Sequence, residues 1–471
     1  MMVYLLPKIL VAGGALMSLL ATLGLPRWRN GAFWVALVLL LAAGVDAAVL
    51  WQAEGNLSLL VAGSMIADPF SSLVDLLVVA AGVSSLLLSW NGDRYGPEFP
   101  ALVAVAVLGM MMVAEAGNLI WLFLGVEVLS LPLYVLAASE RTALGGEAGL
   151  KYLLLGAFSS GILLFGMALL YGATGTTLFV RYPNLPLGTG FGLYGVGFLL
   201  VLVGLGFKVA MVPFHMWVPD VYEGSPTPVT NLMAFGTKVG AAAAILRLVA
   251  YGFYPQAQWW SPLIGYLAVL TMIVGNLLAL PQRDLKRLLA YSGIGHAGFL
   301  LVGIAAHNFL GSMAAVFYLV PYGLAAIGAF ALIRLVEGNG EGVQLDDLEG
   351  LAYAHPWAAA LFIVVMLSLA GIPLTAGFIG KFYLLQAALV ANQTGLAVGL
   401  VVGTLVGLAA YLRPLQRMFA RSRSERVQAF RWSWAGGAVL VVAACGTLFL
   451  GVYPSPMMHI VDQSANFFWL R

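Results

Sequence analysis

Apolar residues run along this chain in long stretches, and the polar residues gather in short clusters between them. Runs near the roughly 20 residues that a helix needs to cross a bilayer fall at 3–24, 32–51, 70–90, 98–116, 118–138, 148–173, 190–218, 227–252, 260–280, 286–306, 309–335, 357–390, 395–413 and 434–453. The pattern predicts an all-α polytopic membrane protein of about fourteen transmembrane helices, in one membrane domain over 1–471. The seventh and twelfth runs are too long for one straight crossing. Both contain Pro and Gly, so helices 7 and 12 are expected to be broken.

Composition agrees. The chain has 471 residues, 62% hydrophobic and only 9% charged, against about 25% charged in soluble domains. A net charge of +2 gives no support for a nucleic-acid partner, and none is expected. The single cysteine, Cys445, can neither close an intrachain disulfide nor hold an iron–sulfur cluster, which needs several thiolates. The first apolar run has only Lys8 as a basic residue and no small-residue cleavage site, so it reads as a retained span.

Basic residues set the expected orientation. With the N-terminus outside, the loops after odd-numbered spans and their flanks hold Arg27, Arg29, Arg94, Arg141, Lys151, Arg283, Lys286, Arg287, Arg334, Arg413, Arg417, Arg421, Arg423, Arg426 and Arg431. The other side holds Lys8, Arg181, Arg247 and Arg471, and Lys208, Lys238 and Lys381 lie within spans. This asymmetry predicts both termini outside. Two cytoplasmic loops stand out. Residues 336–356 carry Glu337, Glu341, Asp346, Asp347 and Glu349, and residues 413–431 carry six arginines against Glu425. They read either as solvated loops or as docking surfaces for partner subunits.

The stretch GLGFKVAMVPFHMWVPDVYEGSPTP, 204–228, breaks the apolar pattern most sharply. It places Lys208 at membrane depth, where an unneutralised lysine costs roughly 2.5–3.5 kcal/mol, and follows it with four prolines. Such a helix is tolerated where protein or water surrounds it. Span 12, LSLAGIPLTAGFIGKFYLL around Lys381, repeats the theme. The two spans lie five apart and so cross in opposite directions, as in inverted-repeat transporters with discontinuous helices.

Five ionisable residues lie well inside spans: Glu127, Lys208, Lys238, His296 and Lys381. Four full charges there would cost on the order of 10 kcal/mol, so they must pair, be hydrated or be neutral. Desolvation favours the neutral amine and a nearby carboxylate favours the ammonium; a lysine under both influences is switched by moving its partner. Such a row suits protons better than sodium or calcium, which need several oxygen ligands. Lys381, late in its span, could snorkel outward. His296 could be a hydrogen-bonded core histidine. His215 and Asp220, near the cytoplasmic end of the broken segment, read either as part of the proton uptake path or as structural caps. Asp75 has no evident role.

Two G-x-G-x-x-G matches, Gly190-Gly192-Gly195 and Gly293-Gly295-Gly298, have no strand before them and are better explained by close helix packing than by a nucleotide. A bis-histidine haem is not expected, because His215 and His296 do not obviously face each other at one depth. The sequons at Asn56-Leu57-Ser58 and Asn392-Gln393-Thr394 have meaning only in a eukaryotic secretory setting.

The segment FKVAMVPFHMWVPDVYEGSPTPVT, 207–230, resembles the signature of the antiporter-like membrane subunits of respiratory complex I, which are related to Mrp-type sodium/proton antiporters. The resemblance extends over nearly the whole chain, through Glu127 in span 5, lysines in spans 7 and 8, RLLAYSGIGHAG opening span 10 and Lys381 in broken span 12. VYEGSPTP and GFIGKFYLL look most like the N-type (subunit 2) branch. The M-type has an acidic-Ala-Pro variant and a glutamate in those places, and the L-type carries a long lateral helix for which Tyr453 to Arg471 is too short.

The resemblance implies three N-terminal helices (1–95), two inverted five-helix repeats (helices 4–8 over 98–252, helices 9–13 over 260–413) and a last helix at 434–453. It implies Glu127 paired with Lys208, Lys238 and His296 linking along a central axis, and Lys381 at the exit side. The function it implies is proton translocation by a non-redox subunit of NADH:quinone oxidoreductase, driven by quinone reduction elsewhere. The partners would be other antiporter-like and small membrane subunits in the lipid bilayer. No cofactor is expected on this chain, with NADH, FMN, iron–sulfur clusters and quinone on other subunits. The alternatives are an Mrp-type antiporter subunit and, more weakly, a solute channel, which would not need three buried lysines.

Overall fold

The structure, a computed structural model, describes residues 2–24, 29–53, 58–90, 95–184, 192–337, 342–466 and 468. Arg27, Arg94, Glu341, Arg471, Gly190 of the first glycine motif, and Asn56 and Leu57 of the first sequon lie outside the described residues.

Twelve described helices are long and apolar enough to cross a membrane. In chain order, spans 1 to 3 are Met2–Gly24, Arg29–Ala53 and Pro69–Ser89; spans 5 to 7 are Leu119–Ala137, Ala143–Thr174 and Gly192–Val209. Spans 8 to 11 are Thr227–Gly252, Ala257–Ala279, Leu285–Ala305 and Phe309–Glu337; spans 13 and 14 are Thr394–Met418 and Trp434–Val452. The shorter helix Phe99–Ala114 is span 4, and Pro356–Ala370 with Ala376–Val390 are the two halves of span 12. The expected fourteen crossings are thus present. Among the described residues the all-α expectation has one exception, a two-stranded antiparallel ribbon that pairs Ser58–Leu60 with Met65–Ala67 between spans 2 and 3.

Polar residues beside the apolar runs decide where the helices start. Asp68 Oδ1 accepts the Ser71 N–H at 2.8 Å ahead of span 3, and Pro69 supplies the preset first turn. Asn118, Thr142, Asp284 and Ser433 cap spans 5, 6, 10 and 14 in the same way. Each cap is worth about 1 kcal/mol. Spans 8, 10 and 11 are almost wholly enclosed by other helices. Span 6 instead turns Leu150, Leu154, Phe158 and Phe165 outward, an apolar face suited to lipid.

Loop contacts sort by parity. On the face that carries the N-terminus, Met65 bridges Ala116 and Asn118 bridges Leu178, joining the loops after spans 2, 4 and 6. On the opposite face Asp284 bridges Gln344, and Arg287 holds Asp220 and Glu223, each at 2.7 Å. A miscounted span would have mixed the two sets. The acidic and arginine-rich loops also meet there: Arg417 pairs with Asp346 and Glu349, and Arg426 with Asp347. These two loops therefore dock on each other within the chain, through half-exposed pairs worth about 0–1 kcal/mol each. After span 14 a short helix, Ser455–Asn466, folds back so that Ser464 receives a hydrogen bond from Trp51 Nε1 at 3.3 Å.

The two breaks are built alike. Span 7, expected over 190–218, is helical only to Val209. Ala210 then turns left-handed (φ +70°), and the Met211 N–H reaches back to Gly206 O at 2.8 Å. In span 12 Gly371 takes φ +82° and the Ile372 N–H reaches Leu367 O at 3.0 Å. Both are Schellman-type stops, with the orphaned carbonyls capped from five residues along. Around them, span 8 packs on span 4 as span 13 packs on span 9.

Candidate functional site

Lys208 sits in the last turn of span 7 and is 2% exposed. Its Nζ faces aromatic rings: Tyr152 at 5.1 Å, and Tyr134 and Phe207 at 5.4 Å from the centroids. Trp217 closes the cage, stacked on Tyr152 at 4.5 Å and donating from Nε1 to Phe207 O at 3.0 Å. This last bond ties the far side of the break to the end of the helix. Cation–π contacts of this kind contribute about 0.5–2 kcal/mol.

The expected Glu127–Lys208 ion pair is not closed. Glu127 is half-buried on span 5, and neither its Oε1 nor Lys208 Nζ has a hydrogen-bond partner. Tyr134, whose ring centroid lies 5.4 Å from the ammonium, is two turns along span 5 from Glu127. Glu127 remains within electrostatic reach of Lys208.

Span 8 is interrupted by two π-helical turns, Met233–Thr237 and Leu248–Gly252, which bracket ten α-helical residues from Lys238 to Arg247. π turns are rare and concentrate at functional sites. Lys238 Nζ donates to Gly293 O at 2.5 Å and to Tyr322 OH at 3.0 Å, and Tyr322 OH donates to Ala234 O at 2.9 Å. Gly293 leaves the room: a Cβ there would meet Lys238 Nζ. Gly293→Ala is therefore expected to lose a charge-assisted hydrogen bond worth about 1.5–3 kcal/mol, read as a lowered melting temperature. Gly146→Ala, where an added Cβ meets nothing within 4 Å, should melt like the parent. Gly295 and Gly298 of the same motif lie against Asn276 and Met272 of span 9, so these two serve close helix packing.

His296, 3% exposed, is bonded at both ring nitrogens. Nδ1 meets Tyr318 OH at 2.6 Å and Nε2 meets Tyr411 OH at 3.1 Å; Tyr411 OH in turn meets Ser292 Oγ at 2.7 Å. Each of these groups can both donate and accept, so the polarity of the chain reverses when the imidazole changes tautomer. The ring also lies 4.9 Å from that of Tyr322, which connects it to Lys238.

Lys381 does not snorkel. It is 5% exposed and turns back from the second half of span 12 to donate to Leu369 O at 2.9 Å and Ala370 O at 3.1 Å. These are open carbonyls at the C-terminal, partially negative end of the first half-helix. Phe299 lies 4.5 Å below the ammonium and 5.8 Å from His296. The two break lysines are thus not equivalent, since Lys208 precedes its left-handed residue and Lys381 follows its own.

Lys238, His296 and Lys381 are therefore brought together through Tyr322, Tyr318 and Phe299. Lys208 joins more loosely, by way of Tyr152, Trp217 and Tyr222, an electrostatic neighbour of both Tyr152 and Tyr322. His215 and Asp220 stand apart from this row. His215 is half-buried within the break. Asp220 lies beyond it, bound at 2.7 Å by Lys151 and by Arg287, and so clasps spans 6 and 10. Partial burial alone would raise the Asp220 carboxyl, but Lys151 and Arg287 hold it below the usual 3.8. Its contribution to stability is present above that range and is lost as the pH falls through the lowered value.

Sequence reasoning missed the tyrosines, whose only signal was a pair on one face of span 11, Tyr318 and Tyr322 at i, i+4. It also counted Lys8 and Arg247 only among the basic residues of the outer side, and Lys286 only among the loops and flanks of the cytoplasmic side. All three are withdrawn from solvent. Lys286 is 3% exposed, donates to Ser225 O at 2.9 Å and lies 3.8 Å from Glu337.

The family model for the transmembrane NADH:quinone oxidoreductase/Mrp antiporter family matches residues 116–407. The chain is 41% identical to NADH-quinone oxidoreductase subunit N of Gemmatimonas aurantiaca, over 98% of this chain and 93% of that one. It is 40% identical to the subunit N of Myxococcus xanthus, over 98% and 97%. Among solved structures, a chain of respiratory complex I from Thermus thermophilus with bound aureothin matches at 35% identity and a TM-score of 0.84, over 97% of this chain and 99% of that one. A chain of the Mrp complex from a Dietzia species shares the fold, with a TM-score of 0.90 at 24% identity over 100% and 98%. The chain belongs to the antiporter-like transmembrane family of NADH-quinone oxidoreductase subunits, in its subunit N branch.

Proposed function

We propose that this chain is a proton-translocating translocase subunit of an NADH:quinone oxidoreductase and does no redox chemistry itself. NADH, FMN, the iron–sulfur clusters and quinone belong to other subunits, and membrane subunits of the same complex are its neighbours. The observation that carries this reading is the row of three buried lysines joined to a histidine bonded at both nitrogens.

In this reading, quinone reduction elsewhere alters the distance between Glu127 and Lys208. When the carboxylate approaches, it holds the ammonium; when it withdraws, Lys208 is left in its aromatic cage and passes the proton bias on to Lys238. Tyr322 and His296 relay it to Lys381, whose hold on the carbonyls of the first half of span 12 is the last contact before the exit. His215 lines the break on the uptake side, and Asp220 fixes the geometry of that side. The paired stops in spans 7 and 12 and the equivalent packing of spans 8 and 13 support inverted repeats over 98–252 and 260–413. The arginine-rich face is cytoplasmic and both termini are periplasmic, in a bacterial inner membrane.

Affinity purification from native membranes tests the assembly. The chain is expected to copurify with flavin and with iron–sulfur electron paramagnetic signals. Recovery with Mrp-type partners and no such signal would establish the antiporter alternative instead. In vesicles from the same membranes, Lys381→Ala is expected to lower NADH-driven acidification about tenfold, equivalent to about 1.4 kcal/mol on the limiting step, with NADH oxidation by an artificial acceptor unchanged.

A further inference from the structure

A second group of buried charges lies near the face that carries the termini, outside the lysine–histidine row. Lys8 on span 1 donates to Asp75 Oδ2 on span 3 at 2.7 Å and contacts Glu115 at the end of span 4. Asp75 and Glu115 are each 1% exposed, and Asp75 Oδ1 has no hydrogen-bond partner. Lys8 also donates to Tyr4 O at 3.4 Å.

The neighbouring charges are few. Arg247 on span 8 and Asp68 form a closed pair at 2.9 and 2.8 Å, completed by Ser71 Oγ at 2.7 Å. Arg247 Nε also donates to Ala114 O, the peptide just before Glu115. Tyr251, one turn further, is near Arg247. Asp46 on span 2 is half-buried and within electrostatic reach of Lys8.

Arg247 and Asp68 cancel. Lys8 balances one of its two carboxylates, which leaves one surplus negative charge in the interior, and Asp46 adds to the imbalance. Two carboxylates that share a site do not both ionise readily, and such a pair takes up a proton as a unit. A metal ion could neutralise the same charge, but it needs several oxygen ligands, and the Lys8 ammonium already lies against both carboxylates.

We propose that Lys8, Asp75 and Glu115 form a second proton-binding site, which holds one exchangeable proton between Asp75 and Glu115 near the termini face. The step is a carboxylate taking up H+ to become a carboxylic acid, with Lys8 as the fixed counter-charge. The site is built by spans 1, 3 and 4, and its link to the central row is span 8, which carries both Lys238 and Arg247. The inference rests on charge balance and geometry, independently of the pumping reading.

Infrared difference spectra of the purified complex in H2O and D2O test it. The wild type is expected to show a carbonyl-stretch band of a protonated carboxylic acid that shifts in D2O. Glu115→Gln should lose this band, because Lys8 then contacts a single carboxylate and no pair remains to share a proton, and Asp75→Asn should lose it likewise. An identical band in the wild type and both variants overturns the site. So does a band abolished by adding sodium or potassium chloride at constant pH, which would assign the charge to a metal ion. Both variants remove surplus charge and keep shape, so failure of both to assemble also counts against the proposal.

Discussion

Lys208→Ala is expected to reduce NADH-driven acidification of inverted membrane vesicles by about tenfold or more, at least about 1.4 kcal/mol on the limiting step. NADH oxidation by an artificial acceptor should keep its parental rate. Lys208 is the one titratable side chain in the last turns of span 7, and the rings of Tyr134, Tyr152 and Phe207 lie around its ammonium. Alanine leaves the cage standing and removes the group that it holds. Lys208→Arg should fail as well, since a guanidinium stays charged and cannot hand on its proton. Native gel electrophoresis shows whether each variant assembles. An assembled Lys208→Ala complex that pumps at the parental proton-to-electron ratio would remove Lys208 from the path.

The largest loss of stability is expected from Arg247→Ala. Arg247 is 0% exposed and is held by both oxygens of Asp68, by Ser71 Oγ and by Ala114 O, with the Phe70 ring 5.1 Å away. Truncating it strands the Asp68 carboxylate in the interior. Breaking a buried pair from one side costs about 3–5 kcal/mol, and Asp68 also caps span 3. The expected readout is a sharp fall in the amount of subunit recovered in the complex, with a lower melting temperature for what remains. Combining Arg247→Met with Asp68→Asn should restore much of the loss, because the stranded charge is gone and an asparagine still caps. Arg421→Ala, at an exposed position of the opposite face, should lie within about 0.5 kcal/mol of the parent. A single Arg247→Ala variant that melts like the parent would contradict the buried-charge account.

The spans were legible because a bilayer demands some twenty apolar residues in a row, and their number survives small errors at the ends. The breaks were legible because Pro and Gly mark them. What escaped were pairings between distant spans. Lys8 meets Asp75 across 67 positions and Arg247 meets Asp68 across 179. No local pattern distinguishes them from loop charges, especially when each lies a turn or two from a helix end. Glu127 was placed inside span 5, but whether it closed on Lys208 is decided by how distant spans pack, which no local pattern records. The tyrosines around His296 escaped for another reason. In an apolar run a tyrosine reads as one more core aromatic until its hydroxyl is seen to have a partner. The opposite charges of the 336–356 and 413–431 loops, by contrast, could have been read as a pair from the sequence.

The ten α-helical residues between the two π turns of span 8 also have a mechanical meaning. From Lys238 to Arg247 they form a stiff arm of about 13.5 Å, and its C-terminal end is pinned by the contacts of Arg247. A tilt of about 5° around that fulcrum carries Lys238 through roughly 1.2 Å, enough to pull its ammonium off Gly293 O and Tyr322 OH. The π turn at Met233–Thr237 supplies the slack at the free end. Span 8 then has the geometry of a lever, with its pivot at the Arg247–Asp68 pair and its free end at Lys238.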